Sequence, residues 1–118
     1  MPYPQNDKKI YYVEFPTTDL IATKDFFAAA FDWEWQDWGP DYAAGVNAGL
    51  DCGLTRVSEP PPTGATLVIL WADDLEATCE RVVEHGGVIS VPIFSFPGGR
   101  RFHFKEPSGN ELAVCCGE

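Results

Sequence analysis

The chain alternates between two kinds of hydrophobic pattern, and the alternation is repeated. Ile10-Tyr-Tyr-Val-Glu-Phe15 is a short run of β-forming residues closed by Pro16-Thr-Thr-Asp19. It predicts a strand, and Asp19 predicts the N-cap of a helix. From Leu20 the apolar residues Phe27 and Phe31 recur at helical spacing, with Phe26 and Ala30 beside them, so the helix is expected to run to about Phe31. Trp33-Glu-Trp35-Gln-Asp-Trp38 returns to near-alternation. Tyr42 to Val46 is short and apolar, and Gly49 to Val57 resumes after a turn at Asn47-Ala-Gly49. Three short strands should therefore follow the helix.

Ser58-Glu-Pro60-Pro-Pro-Thr-Gly64 interrupts this pattern. Consecutive prolines can neither pair inside a sheet nor continue a helix, so residues 58–64 are expected to be a linker. Ala65 to Ala72 predicts another strand, and Asp73-Asp-Leu75-Glu76 opens a second helix with an acidic cap. Leu75, Cys79 and Val82 form its inward stripe, and Gly86-Gly87 ends it. Val88 to Phe96, Arg100 to Lys105 and Glu111 to Cys115 read as strands, split by Pro97-Gly-Gly99 and Pro107-Ser-Gly-Asn110. An offset of 55 residues brings Asp19-Leu20 onto Asp74-Leu75, Ala22-Thr23 onto Ala77-Thr78 and Val13 onto Val68. The pattern is a duplicated βαβββ unit, with modules at about 9–57 and 65–116 in a single domain of 118 residues.

Composition narrows the function classes. With 45% hydrophobic and 14% aromatic residues the chain is expected to bury a core. Eight Lys and Arg against eighteen Asp and Glu, a formal charge of −10, argue against a groove for nucleic acid and against anionic membranes. No apolar run is long enough to span a bilayer, and Met1 to Lys9 holds no apolar leader, so a cytoplasmic protein is expected. Cys52, Cys79, Cys115 and Cys116 form no CxxC pair, and residues 115 and 116 of one strand point to opposite faces. Reduced, buried thiols are the expectation.

The duplicated unit, its Asp-Leu helix starts and the closing Glu106-Pro-Ser-Gly-Asn-Glu-Leu112 together resemble the vicinal oxygen chelate superfamily, which includes glyoxalase I, bleomycin- and fosfomycin-resistance proteins and extradiol dioxygenases. The most specific part is Phe102-His-Phe-Lys-Glu-Pro-Ser-Gly-Asn-Glu-Leu112, similar to that family's phenylalanine-rich strand and Asp-Pro-Asp-Gly-Asn turn, with Glu106 in place of the first Asp. The resemblance implies an α+β fold of tandem βαβββ modules, forming curved mixed sheets around an open cavity with the helices outside. It also implies a small-molecule ligand and, frequently, a homodimer.

Strand alternation then selects candidate site residues. Val13 and Phe15 should pack under the first helix, leaving Ile10, Tyr12 and Glu14 on the other face. Parity gives Leu67, Ile69 and Trp71 in the matching strand. For the last two strands the resemblance sets the phase, placing Arg101, His103, Glu111, Ala113 and Cys115 toward the cavity and Phe102, Phe104, Leu112 and Val114 in the core. Metal-using members bind a divalent ion through His, Glu or Gln in the first strand of each module and in the last strand. The corresponding positions here are Tyr12, Leu67 and Ala113, with Asp51 the nearest carboxylate to a fourth. Leu and Ala offer no donor atom, so no cofactor is expected at the family positions, with a divalent metal left open as the alternative. Glu14, His103, Glu111 and Cys115 are an alternative donor set on the same wall, without a metal-binding spacing.

Three functions remain. Arg101 and His103, two apart on one strand face, suit an anionic or carbonyl-bearing ligand, with Tyr12, Ile69 and Trp71 as apolar wall. The leading reading is thus a metal-free member of the superfamily that binds a small, partly apolar or anionic molecule. The second is an enzyme: a glyoxalase-like lyase or isomerase, or a dioxygenase-like protein, with a rearranged metal site, or a metal-independent acid–base catalyst using Glu14 and His103, where desolvation of Glu14 and Glu111 would help. Glutathione would want more cations than Arg56, Arg100 and Arg101 offer, and Cys115 has no evident base beside it. The third is a dimerisation or interaction module built on the aromatic segment Trp33 to Trp38.

Overall fold

The computed structural model describes residues 7–117; the reading of Met1 to Asn6 lies outside them. The elements in chain order are β1 (Ile10–Thr17), α1 (Leu20–Phe31), β2 (Trp35–Asp37), β3 (Tyr42–Gly45), β4 (Cys52–Arg56), β5 (Leu67–Trp71), α2 (Leu75–Glu84), β6 (Val88–Phe96), β7 (Gly99–Lys105) and β8 (Glu111–Cys116). The order βαβββ occurs twice, and the fold is α+β. The described residues divide into two compact units, one of residues 12–66 and one that combines residues 67–117 with residues 7–11. Among the described residues no helix is long and apolar enough to cross a membrane.

In the unit of residues 12–66, β2 pairs antiparallel with β3, β3 antiparallel with β4, and β4 parallel with β1. Pairing of β1 continues past Phe15, the expected end of the strand, through Pro16 opposite Thr55 and Thr17 opposite Arg56. Asp19 caps α1 as expected, its carboxylate accepting from the Ala22 N–H at 3.0 Å. Leu20, Ala43 and Leu54 form the buried cluster, with Phe15 and Trp35 packed against it. The expected strand over Trp33–Trp38 shrinks to three residues, because Trp33 leaves the alternation to stack on Phe27 of α1, rings 4.6 Å apart and 10° from parallel. Phe26 and Phe31 of α1 stay exposed, as does Trp38.

The other unit repeats the plan. β5 pairs parallel with β8, β8 antiparallel with β7, and β7 antiparallel with β6. Asp74 caps α2 through the Ala77 N–H at 3.0 Å. Gly86 then takes φ of +99°, a left-handed conformation that side chains resist, and the helix stops. Leu75, Ala72, Phe102, Val114 and Cys116 make the core, with Cys79, Val82 and Phe104 partly buried against it. The expected core position Leu112 is only half-buried, at the start of β8, and the strand runs one residue further to bury Cys116. The backbone of Lys8 and Lys9 joins this unit by exchanging hydrogen bonds with Trp71.

Candidate functional site

In each unit the sheet face turned away from the helix carries polar side chains among apolar ones. In the unit of residues 12–66 this face holds Tyr12, Glu14 and Tyr42. Alternation along β1 puts Phe15 under α1 and Glu14 opposite, and the β1–β4 register places Glu14 beside Gly53. The Tyr42 hydroxyl donates to Glu14 Oε2 at 2.9 Å, and the Tyr12 and Tyr42 hydroxyls lie 2.8 Å apart. The two phenols meet over Gly53, where any Cβ would overlap both hydroxyls, so glycine is required by the close approach. Glu14 is 8% exposed. Burial, reinforced by the Glu14 charge, holds Tyr42 far above the usual phenol range, and burial likewise raises Tyr12. Both tyrosines are therefore neutral donors near neutral pH, and Tyr42 helps to anchor the Glu14 side chain.

In the second unit the corresponding face carries Arg101 and His103 of β7 with Cys115 and Ala113 of β8 directly opposite them. The β6–β7 register brings Phe94 opposite Arg101. The Arg101 guanidinium lies over the Phe94 ring at 5.6 Å and the Phe96 ring at 5.5 Å, so two aromatic faces help to orient it. The His103 ring sits 6.0 Å from Phe94, and His103 Nδ1 is 3.5 Å from Glu111 Oε2. Ser90 donates to the same Glu111 oxygen at 2.8 Å. Ser90 thus contacts the carboxylate and not the imidazole, an order unlike that of a nucleophilic triad. Cys115 is buried, which pushes its thiol up to about 12 against the pull of the Arg101 cation. A thiol so held is a poor nucleophile at neutral pH.

The remaining candidates fall into supporting places. Trp71 is buried, its indole N–H donating to Asp73 at 3.0 Å and its ring meeting Tyr11 edge-on. Ile69 is buried, Ala113 has no exposed surface and Leu67 is half-buried. Glu111 stays exposed, which corrects its expected role as a desolvated acid. Arg56 and Arg100, the other cations near strands, are paired with Asp41 and Glu76. Residue-level reading missed Tyr42, Phe94 and Phe96. All three enter through cross-strand register, and only the alternation of aromatic residues in β6 hinted at them.

The positions where the superfamily places metal ligands do not fit a divalent ion. Tyr12 is a protonated phenol occupied with Tyr42, Leu67 is aliphatic, and Ala113 is a buried methyl. Among the described residues no three His, Cys, Asp or Glu side chains gather as a metal site. The closing turn has a separate, structural role. The Glu106 carboxylate accepts from the Ser108 N–H and the Asn110 side-chain amide, which holds it below the usual carboxylate range. Gly109 takes φ of +99° between them. Glu106 replaces the family's Asp without loss of the turn.

Residues 9–114 match the Glyoxalase/Bleomycin resistance protein/Dioxygenase superfamily. A glyoxylase-like domain-containing protein of Didymella fabae is 31% identical over 122 residues, covering 87% of this chain and 89% of that one. The proposed glyoxylase CFP32 of Mycobacterium tuberculosis is 30% identical over 113 residues, 87% of this chain and 43% of the relative, so the chain spans less than half of that protein. A superfamily member from Vibrio splendidus 12B01 superimposes with a TM-score of 0.68 at 20% identity, covering 89% of this chain and 96% of that one. The chain belongs to the glyoxalase, bleomycin-resistance and dioxygenase superfamily.

Proposed function

We propose that this protein binds a small, partly apolar organic anion on the sheet face that carries Arg101 and His103, without using the superfamily's metal. The observation that carries the reading is the Arg101 guanidinium lying over the Phe94 and Phe96 rings, beside His103, on a face of mixed polar and apolar side chains. A cation fixed in this way meets an anion with little loss of side-chain freedom, and the flanking rings suit an aromatic or aliphatic body. The aliphatic side chains at two of the family's ligand positions support the metal-free part. Binding by a homodimer, as the superfamily resemblance implies, belongs to the same proposal.

The test is a thermal-shift titration of EDTA-treated protein with phenylpropionate, and with Mn²⁺, Ni²⁺ and Zn²⁺ separately. A ligand of the native state must raise the melting temperature. The reading expects stabilisation by phenylpropionate without metal, and its loss in Arg101→Met. Stabilisation by the acid only when metal is present, or an undiminished shift in Arg101→Met, would overturn it.

A second reading, acid–base catalysis, is favoured by Glu14, a buried carboxylate fixed by Tyr42. It would place the substrate at the Tyr12–Glu14–Tyr42 face, with Glu14 taking a proton. Glu14→Gln abolishing turnover of any substrate found, with folding intact, would support it. Unchanged turnover in that variant would remove it.

A further inference from the structure

The unit that includes α2 has a cleft on the opposite side of its sheet from Arg101. Leu70 of β5, Phe104 of β7, Val114 of β8 and Val82 of α2 give it a mainly apolar lining, and its volume is about 330 Å³. This lies at the small end of the roughly 300–1,000 Å³ typical of organic ligand sites. The chain has eight Lys and Arg and two His. Three of those ten, Lys8, Arg81 and His85, border this one cleft. Arg81 and His85 are exposed, and among the described residues Arg81 makes no ion pair. Lys8 is paired with Asp7 at 2.9 Å, so the cation offered to the hollow is Arg81, with the His85 imidazole beside it as a hydrogen-bonding group. In a protein of net charge −10, a cation at the edge of an apolar hollow is the electrostatic complement of an anion with an apolar tail.

The hollow has a local cause. Leu75 and Cys79 fill the space under the first two turns of α2. One turn further on, Val82 is a short side chain that lines the cleft together with Leu70. The helix ends at Glu84 with His85 as its C-cap, and Gly86 turns the chain away, so no larger side chain follows on that face. Arg81 and His85 are four residues apart on α2 and its C-cap, which places both on one side of the helix at the same end. We infer that the cleft beneath the C-terminal half of α2 is a second binding site, for a small soluble organic anion whose apolar chain enters between Val82 and Phe104 and whose carboxylate or sulfonate meets Arg81 and His85.

The experiment is an NMR titration of the full chain, labelled with ¹⁵N and in its Leu and Val methyl groups, using three probes: octanoate, octylamine and acetate. Octanoate is expected to give saturable shifts centred on Leu70, Val82 and Val114. Octylamine should bind at least tenfold more weakly, and acetate should leave those methyls unmoved. The double variant Arg81→Glu with His85→Glu changes only exposed side chains, so its spectrum elsewhere should be retained while its octanoate affinity falls at least tenfold. Val82→Phe should remove the shifts by filling the cleft. If that variant fails to fold, the double variant still decides. Equal binding of octylamine, undiminished octanoate affinity in the double variant, or shifts centred on Phe94 and Arg101 in place of Val82 would each overturn the inference.

Discussion

Under α1, Phe27 stacks on Trp33 and approaches Phe15 and Trp35 within about 6.2 Å, so aromatic rings occupy the space between helix and sheet. Fifty-five residues along the chain the matching position is Val82, which lines a cleft together with Leu70. Phe26 and Ala30 of α1 likewise stand where α2 and its cap have Arg81 and His85. The strand pairing and the capping bond are the same in the two units. What differs is side-chain volume and charge at three positions on one helix. A repeated backbone plan can thus be filled in one copy and left open in the other, because strand pairing and caps define the frame while side-chain size decides whether it closes.

The comparison can be broken most severely through the core of the open unit. Phe102 has no exposed surface, and Phe102→Ala should cost about 3–5 kcal/mol in urea unfolding. A loss under 1 kcal/mol would mean that the cleft already lets this core relax. Phe27→Ala, truncating a half-buried ring, is expected to cost roughly 2–3 kcal/mol, whereas Val82→Ala should cost about 1 kcal/mol. Enlargement should reverse the order: Val82→Leu is expected to be neutral or stabilising because there is room, and Phe27→Trp to destabilise by about 1–3 kcal/mol. Equal responses at the two positions would remove the distinction between a filled and an open unit.

The shared frame gives smaller and matched effects. Asp19→Ala and Asp74→Ala each remove one N-cap bond and should each cost about 1 kcal/mol, measured by the same unfolding assay. A clear difference between them would show that the frames are not equivalent. The smallest effect concerns acid. Glu106 has a folded pKa below its ordinary value because it accepts the Ser108 and Asn110 bonds. Its contribution is therefore present above the unfolded carboxylate pKa and lost as pH falls through the folded one. Wild type should melt above Glu106→Gln at pH 7, and the gap should close as pH drops below the ordinary Glu value of 4.5. A gap independent of pH would assign the turn to the backbone alone.

Most elements could be read from the chain without coordinates. Period-two and helical spacing, the Asp19 and Asp74 caps, the proline linker and the Gly86 stop are local signals, each set by the backbone preferences of a few neighbouring residues. The parity of β1 also put Glu14 on the face away from Phe15, where it lies. Trp33 escaped the same reasoning, since an alternating stretch reads as strand until a helix ring offers a better stack. The Tyr42 bond to Glu14, the aromatic faces around Arg101 and the burial of Cys115 join residues 14 to 28 positions apart or on neighbouring strands. Those contacts depend on register, which a linear pattern does not specify. By itself the sequence determined the order, ends and facing of the elements. Only the tertiary structure decided which side chains meet across strands, and that the space under one helix is filled while the space under the other stays open, because both depend on the summed volumes of residues brought together from distant parts of the chain.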